Sequence, residues 1–223
     1  FFCFVVLTLM FITGHISLID NIQFFILFGL QHNVYNSSMD KIALTGFTAF
    51  STHSLNPTEI LVNKYKDRMD INAEVVPVSY SKSAEIAKRI EGKALLMMGL
   101  AAGRKEISLE KFAWNERKAS IPDNDGVLYE GEKIADDGEE RLETEIDIVE
   151  IERRLKSEGI PAYISTDPGR YVCNNIYYTA LYSRKEPSLF VHFPETRDMS
   201  EEMEEKALDI IIGYLRETYL SDR

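Results

Sequence analysis

The sequence predicts an α/β fold, a three-layer sandwich with a central, mostly parallel (mixed) sheet flanked by helices. From Met39 onward, apolar strand-like runs alternate with helix-like stretches, which is the order typical of such sheets. The run KALLMMG at 93–99 is continuously apolar, as expected for a strand buried on both faces. Hydrophobic residues make up 45% of the 223 residues, enough for one sizeable core.

Six strands are predicted from short apolar runs bounded by turn residues. They cover residues 41–47, 73–80, 93–99, 107–115, 160–166 and 188–194. Within the second run, Pro77 favours an edge position or an irregularity, because proline cannot donate a hydrogen bond to a neighbouring strand. The polar residues 116–140, rich in Gly, Asp and Glu, predict a long loop, and long loops in compact domains are often functional.

Five helices are predicted between these strands and at the C-terminus. They cover residues 56–65, 81–92, 146–159, 174–185 and 200–220. Asn56 and Ser200 are the expected N-caps, and Pro57 suits the first helical position. Gly92 and Gly159 are the expected stop signals.

The first 38 residues differ from the rest of the chain. They contain no Lys or Arg, one acid (Asp20), and two apolar runs that are each too short for a typical transmembrane helix. They also lack the basic start and the cleavage site of a secretory signal. We therefore expect residues 1–38 to be a hydrophobic extension outside the fold, and residues 39–223 to form the working domain; a membrane anchor is the alternative.

Charge and cysteine content limit the possible partners. The formal net charge of −11 argues against nucleic acid as a partner, because no basic surface is available to neutralise phosphates. Two cysteines, Cys3 and Cys173, are too few for a disulfide framework. We therefore expect a reducing, cytoplasmic location. A membrane partner is not expected, because the apolar runs of residues 1–38 are each too short to span a bilayer.

Cys173 lies in YVCNN, directly after a glycine-containing turn and at the predicted start of a helix. The unpaired N–H groups and the dipole at such a position favour a thiolate, the form of cysteine that attacks a carbonyl. A buried structural cysteine is the alternative, and position alone leaves both interpretations open.

Two further side chains are candidates to activate a thiol. His192 lies at the end of the apolar run 188–194, where it could act as a general base; a hydrogen-bonded core histidine is the alternative. Glu110 is an acid within the run 107–115, and a buried acid needs a partner. It could orient an imidazole, or it could face solvent on an edge strand.

Seven blocks of sequence follow one another in the order found in a known family. They are TGFTAF (45–50), NPTE (56–59), GLAAGR (99–104), ISLEKFAWN (107–115), IPDNDG (121–126), GIPAYISTDPGRYVCNNIYY (159–178) and VHFP (191–194). Through these blocks the chain resembles pyroglutamyl peptidase I (pyrrolidone carboxyl peptidase), a family of cysteine peptidases. The family removes an N-terminal pyroglutamyl residue from peptides.

The resemblance implies a catalytic triad and a substrate pocket. By motif position, Cys173 would be the nucleophile, His192 the general base and acid, and Glu110 the residue that orients the imidazole. The residues expected to bind the lactam ring are Phe47, Phe50, Leu100 (through its backbone), Tyr171 and Val172. The resemblance also implies no cofactor and no metal, a peptide with an N-terminal pyroglutamate as partner, and a homo-oligomer, either tetramer or dimer.

Two departures from the family pattern keep a second function open. Ser120 stands directly before IPDN, where the family usually has Arg, and Ser51 and Thr52 replace a usual pair of glycines. A catalytically weak or inactive member that binds small lactams or peptide N-termini is therefore the alternative to an active omega-peptidase.

Overall fold

The computed structural model of the protein describes residues 40–50 and 56–220. The expected extension at residues 1–38 lies outside the described residues, so the division of the chain at residue 39 stays a prediction. Every helix of the described residues is too short or too polar to span a bilayer.

The described residues form ten strands and five helices. The strands are β1 Ile42–Phe47, β2 Ile71–Val76, β3 Ala94–Leu100, β4 Ile107–Glu110, β5 Phe112–Trp114, β6 Arg117–Lys118, β7 Glu130–Glu132, β8 Arg141–Glu143, β9 Ala162–Ser165 and β10 Ser188–Phe193. The helices are α1 Pro57–Tyr65, α2 Tyr80–Arg89, α3 Ile148–Ser157, α4 Val172–Ser183 and α5 Glu201–Tyr219.

Six strands form the central sheet in the order β2-β1-β3-β10-β4-β9. Strands β2, β1, β3 and β10 are parallel, and β4 and β9 are parallel to each other. The pair β10–β4 is antiparallel, so the sheet is mixed. This confirms the predicted fold class, including the mostly parallel, mixed sheet.

Each face of the sheet carries its own apolar layer, because side chains along a strand alternate between faces. On β3, Leu96 and Met98 pack with residues of α1, α3 and α5, whereas Leu95 and Met97 pack with residues of α2 and α4. All four of these side chains are fully buried. The continuous apolar run is thus explained by burial on both faces, as the sequence predicts.

The predicted N-caps are formed as expected. The Asn56 side chain accepts a hydrogen bond from the backbone N–H of Thr58, and that of Ser200 accepts one from Met203 N–H. Gly159 follows α3 with φ of 76°, a left-handed conformation that favours glycine. Gly92 acts differently from the prediction: α2 ends at Arg89, and an added Cβ at Gly92 would lie 2.6 Å from the backbone nitrogen of Ala43.

Three sequence predictions are wrong in their bounds. The run 107–115 is divided at Lys111 into β4 and β5, which belong to different sheets. The run 73–80 is strand only to Val76, since Tyr80 already begins α2; β2 is nevertheless an edge strand. The stretch 116–140 is not structureless, because β6 and β7 pair antiparallel within it.

Candidate active site

A cavity of about 220 Å³ opens where the ends of β1, β3 and β10 meet the start of α4. It is lined by Phe47, Phe50, Asn56, Val78, Leu100, Ala101, Arg104, Pro168, Gly169, Tyr171, Val172, Cys173 and His192. Seven of the eight residues singled out from the sequence are in this lining. The eighth, Glu110, lies behind His192 and is fully buried.

Glu110 and His192 are joined by a short hydrogen bond. The His192 Nδ1 atom lies 2.7 Å from Glu110 Oε1, and both side chains are buried. An ionised carboxylate can only accept hydrogen bonds, so Nδ1 carries the proton. In the neutral ring this leaves Nε2 as an acceptor for another proton.

The antiparallel pair β10–β4 brings these two residues together. Glu110 is the last residue of β4, and it pairs with Phe190 near the middle of β10. Phe190 and His192 are two positions apart, so their side chains point to the same face of the sheet as Glu110. Glu110 therefore contacts His192 diagonally across the antiparallel pair β10–β4. The contact does not come from the end of a neighbouring parallel strand.

Cys173 is the second residue of α4 and lies over Gly99 of β3. An added Cβ on Gly99 would lie 3.0 Å from Cys173 Sγ, and Gly99 pairs in register with His192. The thiol and the imidazole thus occupy neighbouring positions at one side of the cavity. Helix α4 has no side-chain N-cap, which leaves the backbone N–H groups of its first turn free of a side-chain acceptor.

The two asparagines that follow Cys173 hold the start of α4 in place. The Asn174 side chain accepts from Trp114 N–H and donates to Trp114 O, both at 2.8 Å, and also donates to Glu116 O at 2.9 Å. The Asn175 amide donates to the Tyr80 carbonyl at 2.9 Å. The sequence prediction gave no role to Asn174 or Asn175. The available signal was their position directly after Cys173 in the YVCNN block.

The surroundings of Cys173 favour the neutral thiol. Burial and, next, the negative charge of Glu110 raise the pKa of the Cys173 thiol to about 12, although the Arg104 charge and a backbone hydrogen bond act in the opposite direction. Burial and the Glu110 charge thus oppose the stabilisation that a helix N-terminus gives to a thiolate.

Glu110, in contrast, is held as a carboxylate. Burial by itself would raise the pKa of Glu110, but the hydrogen bond and charge of His192, the Ser165 hydroxyl and the Arg104 charge together hold it below the ordinary value.

Arg104 is a site residue that sequence reasoning missed. Its Nη1 atom donates to Glu110 Oε1 at 2.6 Å, and its Nη2 atom donates to the Asp167 carbonyl at 2.9 Å. The preceding Gly103 has φ of 85°, which lets the turn after β3 direct Arg104 back toward β4. The sequence signal that could have identified Arg104 is its position at the end of the GLAAGR block.

Aromatic side chains form much of the cavity wall. Phe50 lies 6.2 Å from Tyr171 between ring centroids, and Tyr80 meets Tyr171 edge to face at 5.8 Å. The Tyr171 hydroxyl donates to the Pro122 carbonyl at 2.9 Å, which ties the wall to the IPDN block. In that block Asp123 accepts from Tyr80 N–H at 2.9 Å, so IPDN supports the wall and does not line the cavity.

Arg117 and Lys118 are the basic residues shortly before Ser120, and neither lines the cavity. The Arg117 guanidinium lies 4.4 Å from the centroid of the Tyr129 ring, and Ser120 is exposed. Among the described residues, Arg104 is the only arginine in the lining. In the same part of the chain, no group of three or more His, Cys, Asp and Glu side chains is spaced to hold a metal ion.

Comparisons with known proteins agree on one family. A family model described as pyroglutamyl peptidase matches residues 40–206. The pyrrolidone-carboxylate peptidase of Oceanobacillus iheyensis is 32% identical over 199 residues, which are 79% of this chain and 100% of that protein. The pyrrolidone-carboxylate peptidase of Pyrococcus furiosus is 34% identical, covering 69% of this chain and 80% of that protein.

The fold comparison gives the same result. The solved structure of the pyrrolidone carboxyl peptidase from Thermococcus litoralis matches with a TM-score of 0.78 at 29% identity, covering 83% of this chain and 97% of that one. The structure of the enzyme from Fervidobacterium islandicum matches with a TM-score of 0.73 at 31% identity, covering 79% and 98%. The chain therefore belongs to the pyroglutamyl peptidase family.

Proposed function

We propose that this protein is a cysteine peptidase that removes N-terminal pyroglutamate from peptides, with Cys173, His192 and Glu110 as its triad. The observation that carries the proposal is the 2.7 Å bond between His192 and Glu110, beside a thiol that lies over Gly99. A nucleophile, a base and a residue that orients the base are the parts that acyl transfer requires.

In the first half of the reaction, Cys173 Sγ attacks the pyroglutamyl carbonyl carbon while His192 Nε2 takes the thiol proton. The carbonyl oxygen becomes an oxyanion, which the free N–H groups at the start of α4 can stabilise. The tetrahedral intermediate then breaks its C–N bond, and His192 returns the proton to the leaving amine. The products of this half are the shortened peptide and an acyl-enzyme thioester on Cys173.

In the second half, His192 removes a proton from a water molecule, whose oxygen attacks the thioester carbon. The C–S bond breaks, the proton returns to Cys173, and pyroglutamate leaves. Burial and the charge of Glu110 raise the pKa of the Cys173 thiol, so in this proposal the thiol proton moves to His192 Nε2 as Sγ attacks.

The cavity suits a small, flat, uncharged ring. Its volume of about 220 Å³ lies below the range usual for drug-sized ligands. Its walls include Phe47, Phe50, Tyr171 and Val172, and the described residues of its lining include no carboxylate. A free α-ammonium group would lose its hydration there without gaining a countercharge, so ordinary N-termini should be excluded. We propose Leu100 as the residue whose backbone contacts the lactam.

The direct test is the release of a fluorophore from a pyroglutamyl amide by the full chain. We expect turnover by the wild type, and loss of turnover in Cys173→Ala. Prolyl and alanyl amides serve as substrate controls, because a peptidase of this kind should leave both uncleaved. Absence of turnover by folded wild-type protein would contradict the proposal.

Ser120, which is exposed and stands where the family usually has Arg, favours one alternative, a weak or inactive member that binds lactams or peptide N-termini. Calorimetric titration of Cys173→Ala with a pyroglutamyl dipeptide separates the two functions. Binding to this variant together with turnover by the wild type supports the peptidase. Binding without wild-type turnover supports the alternative.

The remaining proposals concern the oligomeric state, the location and the extent of the working domain. We propose a homo-oligomer, tetramer or dimer, in the cytoplasm, with residues 39–223 as the working domain. Light scattering measures the oligomer, and a variant that begins at Met39 tests whether residues 1–38 contribute to activity. Equal turnover by the shortened and full chains is the expected result.

A further inference from the structure

Arg104 connects the buried carboxylate of Glu110 to the loop that precedes α4. Glu110 Oε1 accepts both from Arg104 Nη1 at 2.6 Å and from His192 Nδ1 at 2.7 Å. The second guanidinium nitrogen, Nη2, holds the carbonyl of Asp167. Residues 168 and 169, which directly follow, line the cavity.

The Arg104–Glu110 contact is needed energetically because the carboxylate of Glu110 is buried. The Glu110 side chain is fully buried, whereas that of Arg104 is 26% exposed. A buried carboxylate is stable only if it is paired and hydrogen-bonded. His192 is a cation only when it is protonated, so among the described residues Arg104 is the permanent cation in contact with Glu110.

We propose that Arg104 is a positioning residue for the reaction: it holds the Glu110 carboxylate oriented toward His192 Nδ1. This inference rests on the proposed function, because it assigns a role in the same site. Arg104 acts through Glu110 and does not itself touch the reacting atoms.

A second effect of Arg104 falls on the thiol. The groups that face Cys173 from the surrounding elements are Glu110 on β4, Arg104 after β3, His192 on β10 and the neighbouring Tyr171. Glu110 raises the pKa of the Cys173 thiol and Arg104 lowers it. Loss of Arg104 should therefore move the alkylation of Cys173 to higher pH.

The kinetic test compares Arg104→Met with Arg104→Lys in the full chain. We expect Arg104→Met to lower kcat about 10- to 100-fold, the range for loss of a charge-assisted hydrogen bond, with a smaller change in KM. Arg104→Lys should recover part of the loss, because it restores the charge but not the fork of two donors. Lys105→Met is the matched control, since Lys105 is an exposed neighbour that loses the same charge.

A double-mutant cycle with Glu110→Gln separates positioning from a structural role. If Arg104 acts through the carboxylate, Arg104→Met should lower the residual turnover of Glu110→Gln less than about threefold, because no carboxylate is left to position. An equal loss in both backgrounds would overturn the proposal, and so would wild-type kcat in Arg104→Met. Thermal unfolding confirms that each variant is folded.

An activity-independent measurement keeps this inference distinct from the proposed function. The rate of Cys173 alkylation by iodoacetamide is followed against pH in wild type, Arg104→Met and Lys105→Met. A profile that moves to higher pH only in Arg104→Met supports the inference, even if the wild type releases no fluorophore. An unchanged profile would overturn it, even if the peptidase activity is present.

Discussion

Gly99 on β3 provides the space that the Cys173 sulfur occupies. A Cβ added at Gly99 would lie 3.0 Å from Cys173 Sγ and 2.9 Å from the ring of Phe190. Because Gly99 pairs with His192 in the sheet, this space lies beside the imidazole. Gly99, the first glycine of the GLAAGR block, therefore leaves the room that the thiol needs to lie next to its proposed base.

We predict that Gly99→Ala displaces the thiol. The added methyl group should destabilise the fold by about 1–3 kcal/mol, the usual cost of overpacking, and lower kcat by a larger factor than it raises KM. Fluorogenic kinetics and thermal unfolding measure the two effects. Gly213→Ala in α5 is the control, because its Cβ would have no neighbour within 4 Å among the residues that the structure describes. It should stabilise the helix by about 0.5–1 kcal/mol and leave kcat unchanged.

We predict that Glu110→Gln has opposite effects on turnover and on thiol reactivity. Turnover should fall about 100- to 10,000-fold, because a neutral amide no longer selects the imidazole tautomer with its proton on Nδ1. Alkylation of Cys173 at pH 8 should become faster, because the negative charge that raises the thiol pKa is gone. Iodoacetamide kinetics on folded protein measure the second effect, and slower alkylation would contradict this account of the electrostatics.

We predict that Asn174→Ala loosens the start of α4. The side chain is fully buried and makes three hydrogen bonds to the backbone of Trp114 and Glu116. Its loss leaves those groups unpaired and should cost about 2–4 kcal/mol in the free energy of unfolding, with a fall in kcat. Asn63→Ala, which removes one exposed hydrogen bond within α1, should change stability by less than about 0.5 kcal/mol. Chemical denaturation compares the two variants.

We predict that Glu204 makes stability depend on pH. Burial, and next the charges of Glu201 and Glu205, raise the pKa of Glu204 from 4.5 to about 7. The folded state therefore holds a proton that the unfolded state releases above its own pKa. The contribution of Glu204 to the free energy of unfolding should be largest below pH 4.5. It should fall as the pH rises and level off above pH 7.

Glu204→Gln removes this titration, so its loss of stability between pH 5 and 8 should be smaller than that of the wild type by about 1–3 kcal/mol. Glu202→Gln is the control, because Glu202 is exposed in the same helical turn and loses the same charge. Chemical denaturation at several pH values gives the comparison. Parallel pH profiles for wild type and Glu204→Gln would show that Glu204 does not carry the effect.

The sequence by itself determined the local elements and the candidate residues. Asn56 and Ser200 cap their helices through contacts two or three residues away, so neighbouring residues are sufficient to predict them. The alternation of apolar runs was sufficient for the fold class, because burial on both faces leaves a clear pattern in the middle strands. The motif blocks pointed to Cys173, His192 and Glu110.

Only the tertiary structure decided how these residues meet. Glu110 and His192 are 82 positions apart, and their contact depends on the antiparallel pairing of β4 with β10, which no local pattern reveals. The division of the run 107–115 at Lys111, the bond from Arg104 to Glu110 and the space above Gly99 have the same origin. Each depends on pairing and packing between segments far apart in the chain, whereas capping and periodicity act between near neighbours.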